Sequence, residues 1–232
     1  MHSTSSNTSG WLALVATPIG NLQDITLRAL DTLREADLIA AEDTRRARKL
    51  LTHFDIHCEL TAYHAHNEHR RTEQLLDAVC EGRKIVVLSD AGTPAISDPG
   101  FLVVREALKR GIEPVVIPGV SALTFAVVAS GLPVDKFAFL GFPPVKSGKR
   151  RKFIETIPGY DCTVFLYEST HRIQKLIAEI AEFLGTETPV AIIREATKLH
   201  EECIRGTVGE ICENLDAHDW RGEFVVAVNV TG

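Results

Sequence analysis

The 232-residue sequence is most informative at first for what it lacks. It has no C-x-x-C pair. Its five cysteines, Cys58, Cys80, Cys162, Cys203 and Cys212, are odd in number and scattered, which reads as reduced thiols in a cytoplasmic protein rather than a disulfide framework. It has no repeat at a solenoid period and no low-complexity tract beyond the opening MHSTSSNTSG. That opening lacks both the basic start and the apolar segment of a signal peptide, so residues 1–10 are expected to form a disordered leader. Positive charge is in deficit, 25 Lys+Arg against 31 Asp+Glu for a net −6. This argues against a general nucleic-acid coat protein but leaves room for a local basic stripe. The uncharged stretch 114–134 is about long enough to span a bilayer, yet Pro118-Gly119 and Gly131-Leu132-Pro133 cut it into a strand, a turn and one buried helix.

What is present is an ordinary globular composition, 45% hydrophobic and 24% charged. Short apolar runs at 12–16, 38–41, 85–88, 114–117, 137–141, 163–167, 190–194 and 223–230 read as strands, several of them covered on both faces. Helical patterns occupy 25–35, 44–52, 68–81, 101–110, 121–130, 148–156, 170–183 and 208–216. In 68–81, Leu75, Leu76 and Val79 form one stripe, with Glu68, Arg71, Thr72 and Glu73 elsewhere. The alternation predicts an α/β fold. The breaker Gly131-Leu132-Pro133-Val134 divides it into domains at 11–133 and 134–232, and ligand sites in such folds form where strand ends and loops converge.

Four loops hold Gly, Pro and hydroxyl residues directly after a strand. The first, Thr17-Pro18-Ile19-Gly20-Asn21, is not G-x-G-x-x-G, so neither a dinucleotide site nor the usual glycine-rich methyl-donor loop can be claimed; a tight turn before a helix capped by Asp24 is the plain reading. The second, 89–100, is long, polar and rich in acceptors (Asp90, Thr93, Ser97, Asp98), which favours ligand contact over a mere Asx-turn network. The third, Pro118-Gly119-Val120-Ser121-Ala122, sets a glycine before a helix whose first amides suit a polar ligand group or a plain cap. The fourth is Tyr167-Glu168-Ser169-Thr170-His171-Arg172, a ligand contact or a solvated strand end. Two basic clusters oppose the acidic average: Arg45-Arg46 with Arg48-Lys49, and Lys146, Lys149, Arg150, Arg151 and Lys152 after Phe142-Pro143-Pro144. Either run taken alone reads as a solvated face, but the second has the local density that phosphate binding needs. His64-x-His66 would share one face of an extended strand, but the histidine spacings match no zinc pattern and no metal is expected.

Taken together these segments resemble one family. Val15-Ala16-Thr17-Pro18-Ile19-Gly20-Asn21-Leu22-Gln23-Asp24-Ile25-Thr26, Ala40-Ala41-Glu42-Asp43-Thr44-Arg45, His64-x-His66-Asn67-Glu68, Leu88-Ser89-Asp90-Ala91-Gly92-Thr93-Pro94, Ser97-Asp98-Pro99-Gly100, Tyr167-Glu168-Ser169-Thr170-His171-Arg172 and Arg194-Glu195-x-Thr197-Lys198 follow the order found in ribosomal RNA small subunit methyltransferase I, a branch of the tetrapyrrole-methylase superfamily. The resemblance spans 12–228. It implies two α/β domains with S-adenosylmethionine in the cleft between them, a homodimer, and 2′-O-methylation of a cytidine in the decoding region of small-subunit ribosomal RNA. Members often continue past the last strand with a tail, which would lie beyond Gly232.

Carried over position by position, the resemblance implies that Thr17 and Pro18 border the donor, that Thr93 and Ile96 lie along its methionine part, and that Ser121 and Ala122 meet its polar groups. Tyr167, Ala196 and Thr197 should approach the adenosine. Threonine at 93 replaces the aspartate of the wider superfamily, so Asp90 or Asp98 is the candidate for the donor's ammonium. Glu42, Asp43, Arg45, His66, Asn67 and Glu68 are expected to line the reacting end, a carboxylate among them or His66 serving as base. Lys146, Lys149, Arg150 and Arg151 are expected to hold RNA phosphates. The acidic balance points to a pre-structured target, an assembled subunit rather than naked strand. A tetrapyrrole methylase would have no use for the cluster at 146–152, and a non-catalytic RNA-binding factor would bind donor without transfer.

Overall fold

A computed structural model describes residues 10–231; all of the expected leader but Gly10 lies outside them. The chain forms two compact units, one ending at Val120 and the other beginning at Ser121.

The first unit is a five-stranded, wholly parallel sheet. In chain order it runs β1 (Trp11–Val15), α1 (Leu27–Glu35), β2 (Leu38–Ala41), α2 (Thr44–His53), β3 (Glu59–Ala62), α3 (Glu68–Cys80), β4 (Lys84–Leu88), α4 (Phe101–Lys109) and β5 (Val115–Ile117). The strands are ordered β3-β2-β4-β1-β5. The central strands read as unbroken apolar runs because both faces are covered. On one face Ala29, Leu30 and Leu33 of α1 and Ala47 and Leu51 of α2 pack against Val15, Ile39 and Val86. On the other, Leu75, Leu76 and Val79 of α3 and Val103 and Ala107 of α4 pack against Leu12, Leu38 and Ile85. Neighbouring strands β1 and β4 therefore send their connections to opposite faces. That reversal opens a crevice at the strands' carboxyl ends, the usual ligand position in open α/β sheets.

The second unit comprises α5 (Ala122–Ala129), β6 (Phe137–Phe139), α6 (Ser147–Thr156), β7 (Thr163–Ser169), α7 (Ile173–Leu184), β8 (Pro189–Arg194), β9 (Glu202–Thr207), α8 (Val208–Glu213) and β10 (Glu223–Asn229). Its sheet is ordered β6-β7-β10-β8-β9 and is antiparallel except for β6 beside β7. Helix α5 packs on β10, which is why the division falls at 120/121 and not at the 133/134 breaker. The stretch 114–134 is a strand, a turn and a helix, but the helix is not buried as expected, since Ala126 is its one fully covered residue and Val128 stands exposed; among the described residues no helix is long and apolar enough to cross a membrane.

Local details correct the sequence reading in several places. Strands β3 and β9 are additional, both at sheet edges. Thr26, not Asp24, caps α1, its Oγ1 accepting from Ala29 N at 3.1 Å. Thr72 is buried with the α3 stripe, its hydroxyl 3.2 Å from that of Tyr63. His64-x-His66 lies beyond the end of β3, in the turn that starts α3, so the two histidines share no strand face.

Candidate active site

The segments following β1, β4 and β5 meet. Thr17 and Gly92 exchange two backbone hydrogen bonds, Thr17 N to Gly92 O at 2.9 Å and Gly92 N to Thr17 O at 3.0 Å. Gly92 adopts a left-handed φ of 79° that suits a residue without Cβ. The buried Thr17 Oγ1 donates to Ser89 O (3.3 Å), and Ser89 Oγ donates to Gly92 O (3.0 Å). The β5 segment joins through Ala16 N, which donates to Ile117 O at 3.1 Å. A Cβ at Gly119 would stand 2.9 Å from the Ala16 Cβ, so only glycine allows this approach.

Within 89–100, Ala95 (φ 71°) and Ser97 (φ 63°) are left-handed without being glycine. Such residues cost about 1–2 kcal/mol each and cluster where a backbone is shaped for a ligand. Ala95 N donates to Pro99 O (3.2 Å) and Ile96 N to Thr93 O (3.3 Å), which holds the shape. Thr93 and Asp98 are half-buried and Ile96 is exposed.

A cavity of about 160 Å³ opens at the carboxyl ends of β1, β2 and β4, bounded by Thr17, Pro18, Ala41, Arg46, Ser89 and Asp90 among others. Two carboxylates stand nearby on neighbouring strands. Glu42 follows β2 directly and makes no hydrogen bond or ion pair among the described residues; partial burial, and next the negative charge of Asp90, push its carboxyl above the ordinary glutamate value against the opposing pull of Arg46 and His64. Asp90 is engaged, Oδ1 accepting from Asp43 N at 2.8 Å and Oδ2 lying 3.4 Å from Arg46 Nη1.

Of the remaining residues expected at the reacting end, Asp43 and Arg45 are tied to one another and Asn67 to its own turn. Asp43 caps α2, accepting from Arg45 N at 2.8 Å, and also takes the Arg45 guanidinium (Nε 3.1 Å, Nη2 2.8 Å). That hydrogen bonding holds its carboxyl far below the usual range. Asn67 builds the turn: Oδ1 accepts from His64 N (2.9 Å) and Nδ2 donates to Ala62 O (3.1 Å). Glu68 opens α3, and the exposed His66 ring is 6.0 Å from that of His64. Among the described residues no cluster of three or more His, Cys, Asp or Glu is placed to hold a metal.

In the second unit Tyr167 packs edge-on to Phe139 (4.7 Å) and Phe142 (5.5 Å). The next residue, Glu168, is buried rather than solvated and bridges Arg172 at 2.7 Å. Ser121 is buried and caps α5 without a side-chain bond; Ala122 is the helix's first residue. Ala196 is buried between left-handed Glu195 (φ 50°) and Thr197 (φ 65°), and Thr197 Oγ1 is buried with no hydrogen-bond partner among the described residues. In the basic run, Lys146 and Lys149 are exposed, and Arg151 pairs with Glu155 at 2.8 Å over the Phe183 ring. Arg150 departs from expectation. It is buried, with its guanidinium on Glu179 (2.5 and 2.8 Å) and on the carbonyls of Val145 (2.8 Å) and Pro144 (3.3 Å), so it faces protein and not solvent.

The sequence signature of the Tetrapyrrole (Corrin/Porphyrin) Methylases matches residues 12–212. The chain is 47% identical over 223 residues to ribosomal RNA small subunit methyltransferase I of Halalkalibacterium halodurans, covering 96% of this chain and 77% of that protein. The chain belongs to the ribosomal RNA small subunit methyltransferase I family. The Thermotoga maritima member is 43% identical over 220 residues, covering 95% of this chain and 98% of its own. A solved diphthine synthase shares the fold, with a TM-score of 0.73 at 18% identity over 95% of this chain and 90% of that one.

For this member of the methyltransferase I family, the first unit thus brings together Thr17, Pro18, Glu42, Asp90 and the Gly92–Gly100 segment, while Asp43, Arg45 and Asn67 shape the backbone beside them. Ser121, Ala122, Tyr167, Ala196 and Thr197 belong to the second unit. Sequence reasoning missed Arg46 and Lys49 as cavity walls. The signal was there: 46, 49 and 50 share one face of a helix starting at 44.

Proposed function

We propose that this chain methylates the 2′-hydroxyl of a cytidine in the decoding region of small-subunit ribosomal RNA, using S-adenosylmethionine, with Glu42 as the general base. The observation that carries the assignment of the base is Glu42 itself: a carboxylate unpaired among the described residues, with a raised proton affinity, set at the end of β2 beside Asp90 at the end of β4. Family membership supports the substrate; the reading takes in a cytoplasmic homodimer, and the net charge of −6 favours an assembled subunit over naked strand as its target.

The residues present fit the donor. The glycine at 92, the strained backbone at 95 and 97 and the acceptors Asp90 and Asp98 make a polar cradle for a group bearing an ammonium and a ribose. Pro18 and Thr17 form its wall, and Thr93 and Ile96 line the same segment. When bound, S-adenosylmethionine supplies an electrophilic methyl on a positively charged sulfur.

The chain's own contribution is alignment first. Holding the two reactants in line removes roughly 7–11 kcal/mol of barrier, against a factor of about 10²–10⁴ from a general base. The ribose 2′-oxygen gives its proton to a Glu42 carboxylate oxygen as its bond to the methyl carbon forms and the carbon–sulfur bond breaks. A carboxylate shifted toward neutrality is a better base for that proton than an ordinary surface glutamate. Lys146, Lys149 and Arg151 hold phosphates of the substrate.

The test is nucleoside mass spectrometry of small-subunit RNA after incubation of subunits with protein and donor. Wild type should yield 2′-O-methylcytidine. Glu42→Gln should slow transfer about 10²–10⁴-fold with donor affinity retained. No methylated cytidine with wild type would refute the function; full activity in Glu42→Gln would refute the base.

A further inference from the structure

The outward side of α2 carries charge that the reaction site does not use. Between Thr44 and His53 this helix has three arginines and a lysine and no acidic residue. Asp43 holds Arg45 and Asp90 faces Arg46. Arg48 and Lys49 are exposed and have no ionic partner among the described residues. An open groove of about 620 Å³ runs along this side, lined by Thr44, Arg45, Arg48, Lys49, Thr52 and His53. Each of these six offers a hydrogen-bond donor, and none is a carboxylate. Lys49 also lines the cavity beside Asp90, so groove and cavity share a wall.

A donor-lined, carboxylate-free groove suits a chain of phosphates. We propose that it binds the phosphate backbone of the RNA strand next to the target ribose and leads that ribose to Glu42. This rests on the RNA-methylating reading above. The helix has 10 residues, about 15 Å of length, enough for a few successive phosphates. Guanidinium and ammonium groups on one helix face position such a backbone without reading its sequence.

The experiment measures binding of small-subunit RNA, naked and assembled, between about 50 and 200 mM salt, for wild type, Arg48→Glu and the double variant Arg48→Gln/Lys49→Gln. Loss of two phosphate contacts should flatten the slope of log K against log salt by about 1.4 in the double variant. Calorimetry with S-adenosylhomocysteine should give Arg48→Glu the wild-type donor affinity, with unchanged thermal unfolding. RNA affinity and slope equal to wild type in both variants would overturn the groove while wild-type methylation left the functional reading intact. Failure of wild type itself to bind RNA would overturn both. A loss seen only with assembled subunits, naked RNA binding as before, would also overturn it, in favour of an acidic protein face.

Discussion

Arg150→Met removes one cation from the run at 146–152, yet it should act on stability and not on RNA. The Arg150 side chain is 4% exposed and its partner Glu179 12%. Without the guanidinium, the Glu179 carboxylate stays buried with no cation, and the carbonyls of Val145 and Pro144 lose a donor. Breaking one side of a buried pair costs about 3–5 kcal/mol. At about 2–4 °C per kcal/mol for a chain of this size, Tm should fall by roughly 6–20 °C. Most of that is the orphaned charge, so the double variant Arg150→Met/Glu179→Leu should recover the larger part of the loss. The comparison is Lys149→Gln, an exposed site, which should leave stability within about 0.5 kcal/mol while weakening RNA binding. Thermal unfolding by circular dichroism, paired with RNA titration well below every Tm, reads both effects. An unchanged Tm for Arg150→Met, with RNA affinity falling as in Lys149→Gln, would refute the reasoning and return Arg150 to the RNA-facing set.

Asp90→Asn should move the acid limb of the pH–rate profile to lower pH: Asp90's negative charge helps hold the Glu42 proton, Glu42 works as a base only when ionised, and removing that charge lets it ionise earlier. An unmoved or alkaline-shifted limb would detach Glu42 from the chemistry; the Asn Oδ1 can still accept from Asp43 N, so the backbone should hold. Gly119→Ala forces a methyl into the Ala16 side chain and should cost about 1–3 kcal/mol in denaturant unfolding and weaken donor binding, whereas wild-type values in both would show that the loop yields freely. Ala95→Gly relieves a left-handed alanine worth about 1–2 kcal/mol against about 0.5–1 kcal/mol of added chain entropy, so stability should stay level or rise by up to about 1.5 kcal/mol while calorimetry shows weaker donor binding from a less preorganised loop.

How far the sequence carries depends on which force places a residue. Strands β1 and β4 were legible because burial on both faces leaves an unbroken apolar run, and the loops after them because Gly, Pro and hydroxyl residues mark a chain that must turn sharply. Strands β3 (ELTA) and β9 (ECIRGT) were not, since an edge strand is half-exposed and its pairing comes from its neighbour's backbone rather than from its own side chains. Asp43 stands immediately before a helical pattern, where a cap is the first expectation, so its tie to Arg45 N was within reach. Arg150 was not, because local density of Lys and Arg looks the same whether a side chain meets water or a glutamate on a later helix. Nor was the raised proton affinity of Glu42, which comes first from its burial and next from Asp90, brought beside it by the second strand after β2.

That last point shows how a chain without a glycine-rich fingerprint builds a reaction site. In the β2–β4 pairing Ala41 lies opposite Leu88, so Glu42 and the Ser89-Asp90 pair leave the sheet side by side. Strands β1 and β4 pair in the same way, Val15 opposite Leu88, which delivers Thr17 to Gly92. Both juxtapositions follow from strand register, and register is fixed by alternate burial of side chains on two covered faces; a slip of one residue would turn every core side chain to the wrong face. The packing of Ile39, Val86 and their neighbours, by fixing that register, sets Glu42 where partial burial first and the like charge of Asp90 next hold its proton. Substitutions that loosen the β2–β4 register should therefore alter the acid limb of the reaction before they alter donor binding, because the donor-facing segment is held separately by the Thr17–Gly92 bridge.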